Sequence, residues 1–123
     1  MYKNLILITI VASLTIISQV FLKKGLKTIG EFKLAGLHDF GIIIKLLQNK
    51  FIVIGILIAI IGALFWLTVI SKLDLTIAFP ISSGIFFILL FLMSWIFLGE
   101  SITFIKITGI TIILLGIYLI SYS

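Results

Sequence analysis

The chain contains no cysteine and no arginine, a single proline and a single histidine, and only four acidic residues in 123. Each scarcity removes a class of function. Without cysteine there is no disulfide framework and no thiolate metal site. One histidine, His38, cannot build a multi-histidine metal centre within one chain. The four acids, Glu31, Asp39, Asp74 and Glu100, all fall in or beside expected loops, so no carboxylate pair sits inside an apolar segment. No Walker loop and no hydrolase or kinase nucleophile motif is present. The sequence points away from catalysis and calls for no metal and no cofactor.

What is abundant is apolar surface. The hydrophobic fraction is 63% and the charged fraction 11%, against about 45–50% and about 25% in soluble domains. One domain of this length has too little interior to hide so much apolar surface, so the bilayer must be part of its solvent. Four runs reach the roughly 20 residues needed to cross the hydrocarbon core: Asn4–Leu22, Phe51–Ile70, Leu75–Leu98 and Ile102–Ile120. In lipid such runs must be helices, because an isolated strand would leave its backbone groups unpaired. The first run is longer than the roughly 7–15 residues of a signal-peptide core and ends in Lys23-Lys24 rather than a cleavage site, so it reads as a retained span. The fold expected is all-α integral membrane, one domain over residues 1–123 with four transmembrane helices.

Between the first and second spans lies the long connection Lys23–Lys50. Within it, Asp39–Gln48 places Phe40, Ile43, Ile44 and Leu47 on one stripe, the pattern of a short interfacial helix. Glu31 and His38 read as solvated loop residues. The other connections, Ser71–Asp74 and Gly99–Ser101, are short enough to make their helices antiparallel neighbours, with Asp74 and Ser101 as expected N-caps. Lys23, Lys24, Lys27, Lys33, Lys45, Lys50 and Lys106 gather on one side, against Lys3 and Lys72 on the other. The positive-inside rule then places the lysine-rich side in the cytoplasm and both termini outside. The formal charge of +5 is explained by this placement and by anionic headgroups. Nucleic acid is not an expected partner, since no basic patch is interleaved with exposed aromatics. Trp66, Trp95, Tyr2, Tyr118 and Tyr122 mostly fall near the expected interfaces, as an aromatic belt requires.

Several residues interrupt the apolar runs. Thr15, Ser18, Gln19 and Lys23 share one face of the first span. An intramembrane glutamine faces a bundle interior or cavity, where it either bonds a neighbouring helix or holds a polar head group. Lys23 either snorkels to the interface or meets a phosphate. Pro80 removes an amide donor in the third span; next to it Ser82, Ser83 and Gly84 leave room for a ligand or a close helix. Lys106 lies about one turn inside the fourth span, within snorkelling reach. Gly109 and Gly116, and in the second span Gly55 and Gly62, form small-residue stripes suited to close helix approach, within the bundle or between subunits.

In these residues the chain resembles a small four-helix member of the drug/metabolite transporter superfamily. The resemblance rests on Gln19-x-x-x-Lys23, Phe65-Trp66-Leu67, Ile77-Ala78-Phe79-Pro80, Ser94-Trp95 with Gly99-Glu100, and the pair Gly109/Gly116. It covers nearly the whole chain apart from the long loop. The small multidrug resistance proteins are similar in length and in the Ser-Trp ending. That branch couples protons to cation export through a glutamate in the first helix, where this chain has Thr15. The chain is also similar to the small flippase subunits for undecaprenyl-phosphate-linked aminoarabinose in the bacterial inner membrane. Their Gln-x-x-x-Lys and Ile-Ala-Tyr-Pro are matched at Gln19/Lys23 and, with Phe79 for tyrosine, at Ile77–Pro80.

This second resemblance implies a flippase subunit moving a polyprenyl-phosphate-linked sugar or related anionic lipid, paired as a homodimer or with a similar four-helix subunit. Thr15, Ser18, Gln19, Phe79, Ser83 and Gly84 would surround the head group, Lys23 with Lys106 would neutralise the phosphate, and Pro80 would let the helices rearrange. The alternatives are an exporter of small cations or metabolites, and an accessory subunit that transports nothing.

Overall fold

The computed structural model describes residues 2–29 and 40–122, and over these the chain is all helical. Five helices follow one another: α1 (Tyr2–Ile29), α2 (Phe40–Gln48), α3 (Lys50–Lys72), α4 (Leu75–Phe97) and α5 (Phe104–Tyr122). Four of them, α1, α3, α4 and α5, are long and apolar enough to cross a membrane. The protein is a membrane protein with a short interfacial helix between its first two spans. At about 1.5 Å per residue, α3 and α4 with 23 residues each measure roughly 34 Å, enough for a hydrocarbon core of about 30 Å.

The longest helix departs from the expected boundary. α1 has 28 residues and continues past Leu22 through Lys23, Lys24 and Lys27 to Ile29. Hydropathy marks where lipid ends, whereas lysine is a good helix former and gives the backbone no reason to stop there. The last turns of α1 therefore stand beyond the apolar span and reach the ends of the other helices. α2 begins at Phe40. Asp39, Glu31 and His38 lie outside the described residues.

α1 is the organising element. It packs on both α3 and α4, which touch each other little, while α5 packs on α4 and α2 on α3. Against α1, α3 runs antiparallel. Gly55 lies against Leu22 and the Ser18 carbonyl, and Gly62 against Leu14. A buried cluster of Ile8, Val11, Val69 and Ala78 knits α1, α3 and α4 together near the α3–α4 turn, with Trp66, Leu73, Ile81 and Ile85 against it. At the opposite, lysine-rich end, α1 and α3 close again. There a Cβ on Gly25 would overlap Ile52 Cγ1 and lie 3.1 Å from the Ile52 nitrogen, so only glycine lets the two backbones approach this closely.

Helix ends are set by side chains the sequence reading did not select. Asn49 caps α3, its Oδ1 accepting from the amides of Phe51 at 3.0 Å and Ile52 at 3.3 Å. Its Nδ2 donates to the Gly25 carbonyl at 3.2 Å and to Thr28 Oγ1 at 2.7 Å. One residue thus caps α3 and ties it to α1. Asp74 does occupy the N-cap of α4, but its side chain makes no capping hydrogen bond. Ser101 is not the cap of α5. Thr103 Oγ1 accepts from the Lys106 amide at 3.2 Å, because α5 begins two residues later than hydropathy suggests.

Candidate functional site

A cavity of about 470 Å³ lies between α1, α3 and α4. It exists because α1 holds α3 and α4 on two sides without bringing them together. Small residues face it where bulky ones would close it: Ala12 on α1, Ala59, Gly62 and Ala63 on α3. The apolar cluster packs next to one end, and the Ser18–Gly55 and Gly25–Ile52 contacts draw α1 and α3 together at the other. The cavity therefore sits within the spans, away from both helix termini.

Its walls have two kinds of chemistry. Thr15, Ser18 and Gln19 from α1 and Ser82 and Ser83 from α4 supply hydroxyls and one amide, while Trp66, Phe79, Phe86 and Phe87 supply aromatic faces. Among the described residues no charged side chain lines it. Trp66 and Phe79 meet edge to face, their ring centroids 6.0 Å apart and their planes at 76°. This pair fixes one wall, edge-to-face being the favoured geometry for aromatic quadrupoles. Trp66 is thus a cavity residue, whereas Trp95, Tyr118 and Tyr122 are exposed on the outer surface.

The hydroxyls are not equally free. Ser18, 1% exposed, donates to the Gly55 carbonyl at 2.7 Å. It borders the cavity but spends its proton on joining α1 to α3. Thr15 donates to the Val11 carbonyl at 2.8 Å, one turn back in its own helix. Each keeps acceptor capacity. Gln19, one position beyond Ser18, is exposed to the cavity and its side-chain amide bonds no described residue. Its carbonyl and both amide hydrogens remain available, so it is the most versatile polar group on the wall.

The remaining sequence candidates lie elsewhere. Gly84 is buried on the side of α4 that meets α5, where a Cβ would touch Ile117 at 3.4 Å and Leu114 at 3.6 Å; it is a packing glycine. Pro80 lies within α4 and does not line the cavity. Gly55 permits the α1–α3 contact away from the cavity, and Gly62 permits it while bordering the cavity. Gly109 and Gly116 would meet nothing within 4 Å, so they perform no close packing among the described residues.

Lys23 and Lys106 are not brought together with Gln19 in one cavity. Lys23 Nζ pairs with Glu100 at 3.9 Å, both side chains about half exposed. Lys24 Nζ lies 5.9 Å from the centroid of the Phe97 ring, and Lys27 Nζ is 3.4 Å from the Leu98 carbonyl. The three lysines of the α1 extension therefore surround the C-terminal end of α4, where the helix dipole favours cations. Gly99, in the left-handed region at φ 64°, turns the chain there, and the Glu100 amide returns to the Ser94 carbonyl at 3.1 Å. That turn presents Glu100 to Lys23. Lys106 lines a second groove, between α4 and α5, and its Nζ donates to the Ser101 carbonyl at 2.9 Å.

Among the described residues the pocket is lined by hydroxyls, one amide and aromatic faces from three of the four membrane-long helices, α1, α3 and α4. No family model, no curated protein and no solved structure matches the chain.

Proposed function

We propose that this protein is a transporter or flippase subunit that carries a polyprenyl-phosphate-linked sugar, or a related anionic lipid, across a bacterial inner membrane. The observation that carries the reading is the character of the cavity between α1, α3 and α4. Sugars are recognised by hydroxyl and amide hydrogen bonds on their edges and by aromatic contact on their apolar faces. Gln19, Ser82 and Ser83 offer the first, and Trp66 with Phe79 the second. A cation would want a carboxylate, and none of the described residues that line this cavity carries one.

In this mechanism the sugar enters the cavity through the gap between α3 and α4, and the polyprenyl chain stays in lipid. Gln19 donates to and accepts from sugar hydroxyls. Lys23, one turn further along the same face of α1, exchanges Glu100 for the lipid phosphate. The exchange costs little, because an exposed ion pair is worth only about 0–1 kcal/mol. The subunit works as a pair, with a second copy or a similar four-helix chain, closing the open side of the cavity across the interface.

The test is translocation of a fluorescent polyprenyl-phosphate hexose in proteoliposomes. The Gln19→Ala variant is expected to lose at least tenfold in initial rate at unchanged protein incorporation, and Ser83→Ala a smaller factor. Wild-type rates in a correctly inserted Gln19→Ala protein would remove the cavity from the mechanism. An unchanged rate in protein-free vesicles would remove transport itself.

A further inference from the structure

The groove between α4 and α5 meets that mechanism only at Glu100, the partner that Lys23 gives up. Its volume is about 310 Å³, and its lining changes along the helix axis. Leu90 and Phe91 of α4 face Ile110 and Ile113 of α5 in the apolar stretch, while Ser94, Glu100, Ser101 and Lys106 line the end at the lysine-rich side. Gly109 lies on this groove, and a Cβ there would meet nothing within 4 Å. The trough is open where a larger residue would fill it. An apolar slot ending in hydroxyls and charges, at the end of two membrane-long helices, has the amphipathic pattern of one lipid molecule.

Charge selects which lipid. Lys106 Nζ gives one hydrogen to the Ser101 carbonyl, which leaves two donors for a ligand. Glu100, the one described acid at this end, is already met by Lys23 at 3.9 Å. Lys24 and Lys27 stand at the same end of α4, so the surrounding field is positive. We propose that the α4–α5 groove is a binding site for one anionic phospholipid. Its phosphate sits on Lys106 and the Ser94 and Ser101 hydroxyls, and an acyl chain lies over Gly109. The site shares no lining residue with the cavity of Gln19 and does not depend on what that cavity carries. Its lysine-rich surroundings suit a leaflet rich in anionic lipid.

The experiment is native mass spectrometry of the full chain, purified in mild detergent and offered phosphatidylglycerol, phosphatidylethanolamine or phosphatidylcholine with identical acyl chains. Wild-type protein is expected to retain one phosphatidylglycerol at least fivefold over either other lipid. Lys106→Gln should erase that preference, Lys106→Arg should keep it, and Gly109→Leu should lower retention of all three. Gln19→Ala should change nothing, which separates this site from the transport cavity. Equal retention of phosphatidylglycerol by wild type and Lys106→Gln would overturn the proposal. So would a preference for phosphatidylethanolamine, which would hand the site to Glu100 and an ammonium. Displacement by millimolar glycerol 3-phosphate would show a phosphate site with no need of a chain, and would equally overturn it.

Discussion

Glycine performs opposite tasks at different points of this molecule, and the contrast is measurable. At Gly25 the backbone of α3 is so close that an added methyl overlaps Ile52 and approaches its backbone nitrogen. Overpacking of this kind costs typically about 1–3 kcal/mol. Gly25→Ala should therefore lower stability by about that amount in reversible unfolding by sodium dodecyl sulfate from mixed micelles. Gly116→Ala, with open space around it, should be neutral, or stabilising by up to about 1 kcal/mol through helix propensity. A comparable loss in both variants would mean that Gly116 packs against a partner. Ser18 supplies a second residue-level test. Its buried hydroxyl is a polar link between α1 and α3, and such interhelical bonds average about 0.6 kcal/mol with a maximum of about 1.7. Ser18→Ala should lose stability within that range and leave translocation of the polyprenyl-phosphate hexose intact, whereas Gln19→Ala should do the reverse. Ser18 and Gln19 are adjacent in sequence, and periodicity assigned them one face. The structure divides their labour by depth of burial, a distinction no helical wheel contains.

At the scale of elements, α3 is fastened at its N-terminus by a residue that ends one helix contact and begins another. Asn49 accepts from the first free amides of α3 and donates to α1. Asn49→Ala should cost about 1 kcal/mol for the lost cap and more for the lost link. Asn49→Asp should keep the cap and lose only the link. Hydrogen exchange at the Phe51 and Ile52 amides checks this: fast in the alanine variant, near wild type in the aspartate variant. Most element boundaries were readable, because the length of an apolar run is set by the bilayer and dominates every other signal. Those that were not readable share a cause. α1 overruns Leu22 because lysines at the interface remain helical, and α5 starts at Phe104 because Thr103, rather than Ser101, offers the capping hydroxyl. Hydropathy is blind to both. The short amphipathic helix is legible from the stripe Phe40, Ile43, Ile44 and Leu47; on α2 Phe40, Ile44 and Leu47 are exposed and Ile43 is half-buried.

For the whole molecule, the four spans are plain in the sequence, but the site between three of them, α1, α3 and α4, is not. Thr15, Ser18, Gln19 and Ser83 stand out by their polarity within apolar runs and Phe79 by the resemblance at Ile77–Pro80, and all five border the cavity. Trp66, Phe86 and Phe87 were not singled out as site residues, since an aromatic in a membrane helix looks the same whether it faces lipid, headgroups or a ligand. Which residues meet depends on α1 standing between α3 and α4, an arrangement that short loops do not dictate. The same arrangement gathers the charges. Antiparallel packing puts the end of α1, the starts of α3 and α5 and the end of α4 on one side, with Lys23, Lys24, Lys27, Lys50 and Lys106 among their residues. Among the described residues only Lys3 and Lys72 belong to the other side. If the positive-inside rule governs insertion, the lysine-rich side faces the cytoplasm. The absence of native cysteine makes this directly testable with single introduced thiols. Gln48→Cys, at the end of α2, should resist a membrane-impermeant maleimide in intact spheroplasts and react only after permeabilisation. Ser121→Cys, in the last turn of α5, should react in intact spheroplasts. Labelling with the two positions exchanged would invert the molecule and place Lys106 in the outer leaflet. Half-labelling of both would mean insertion in two orientations, which the one-sided lysines argue against.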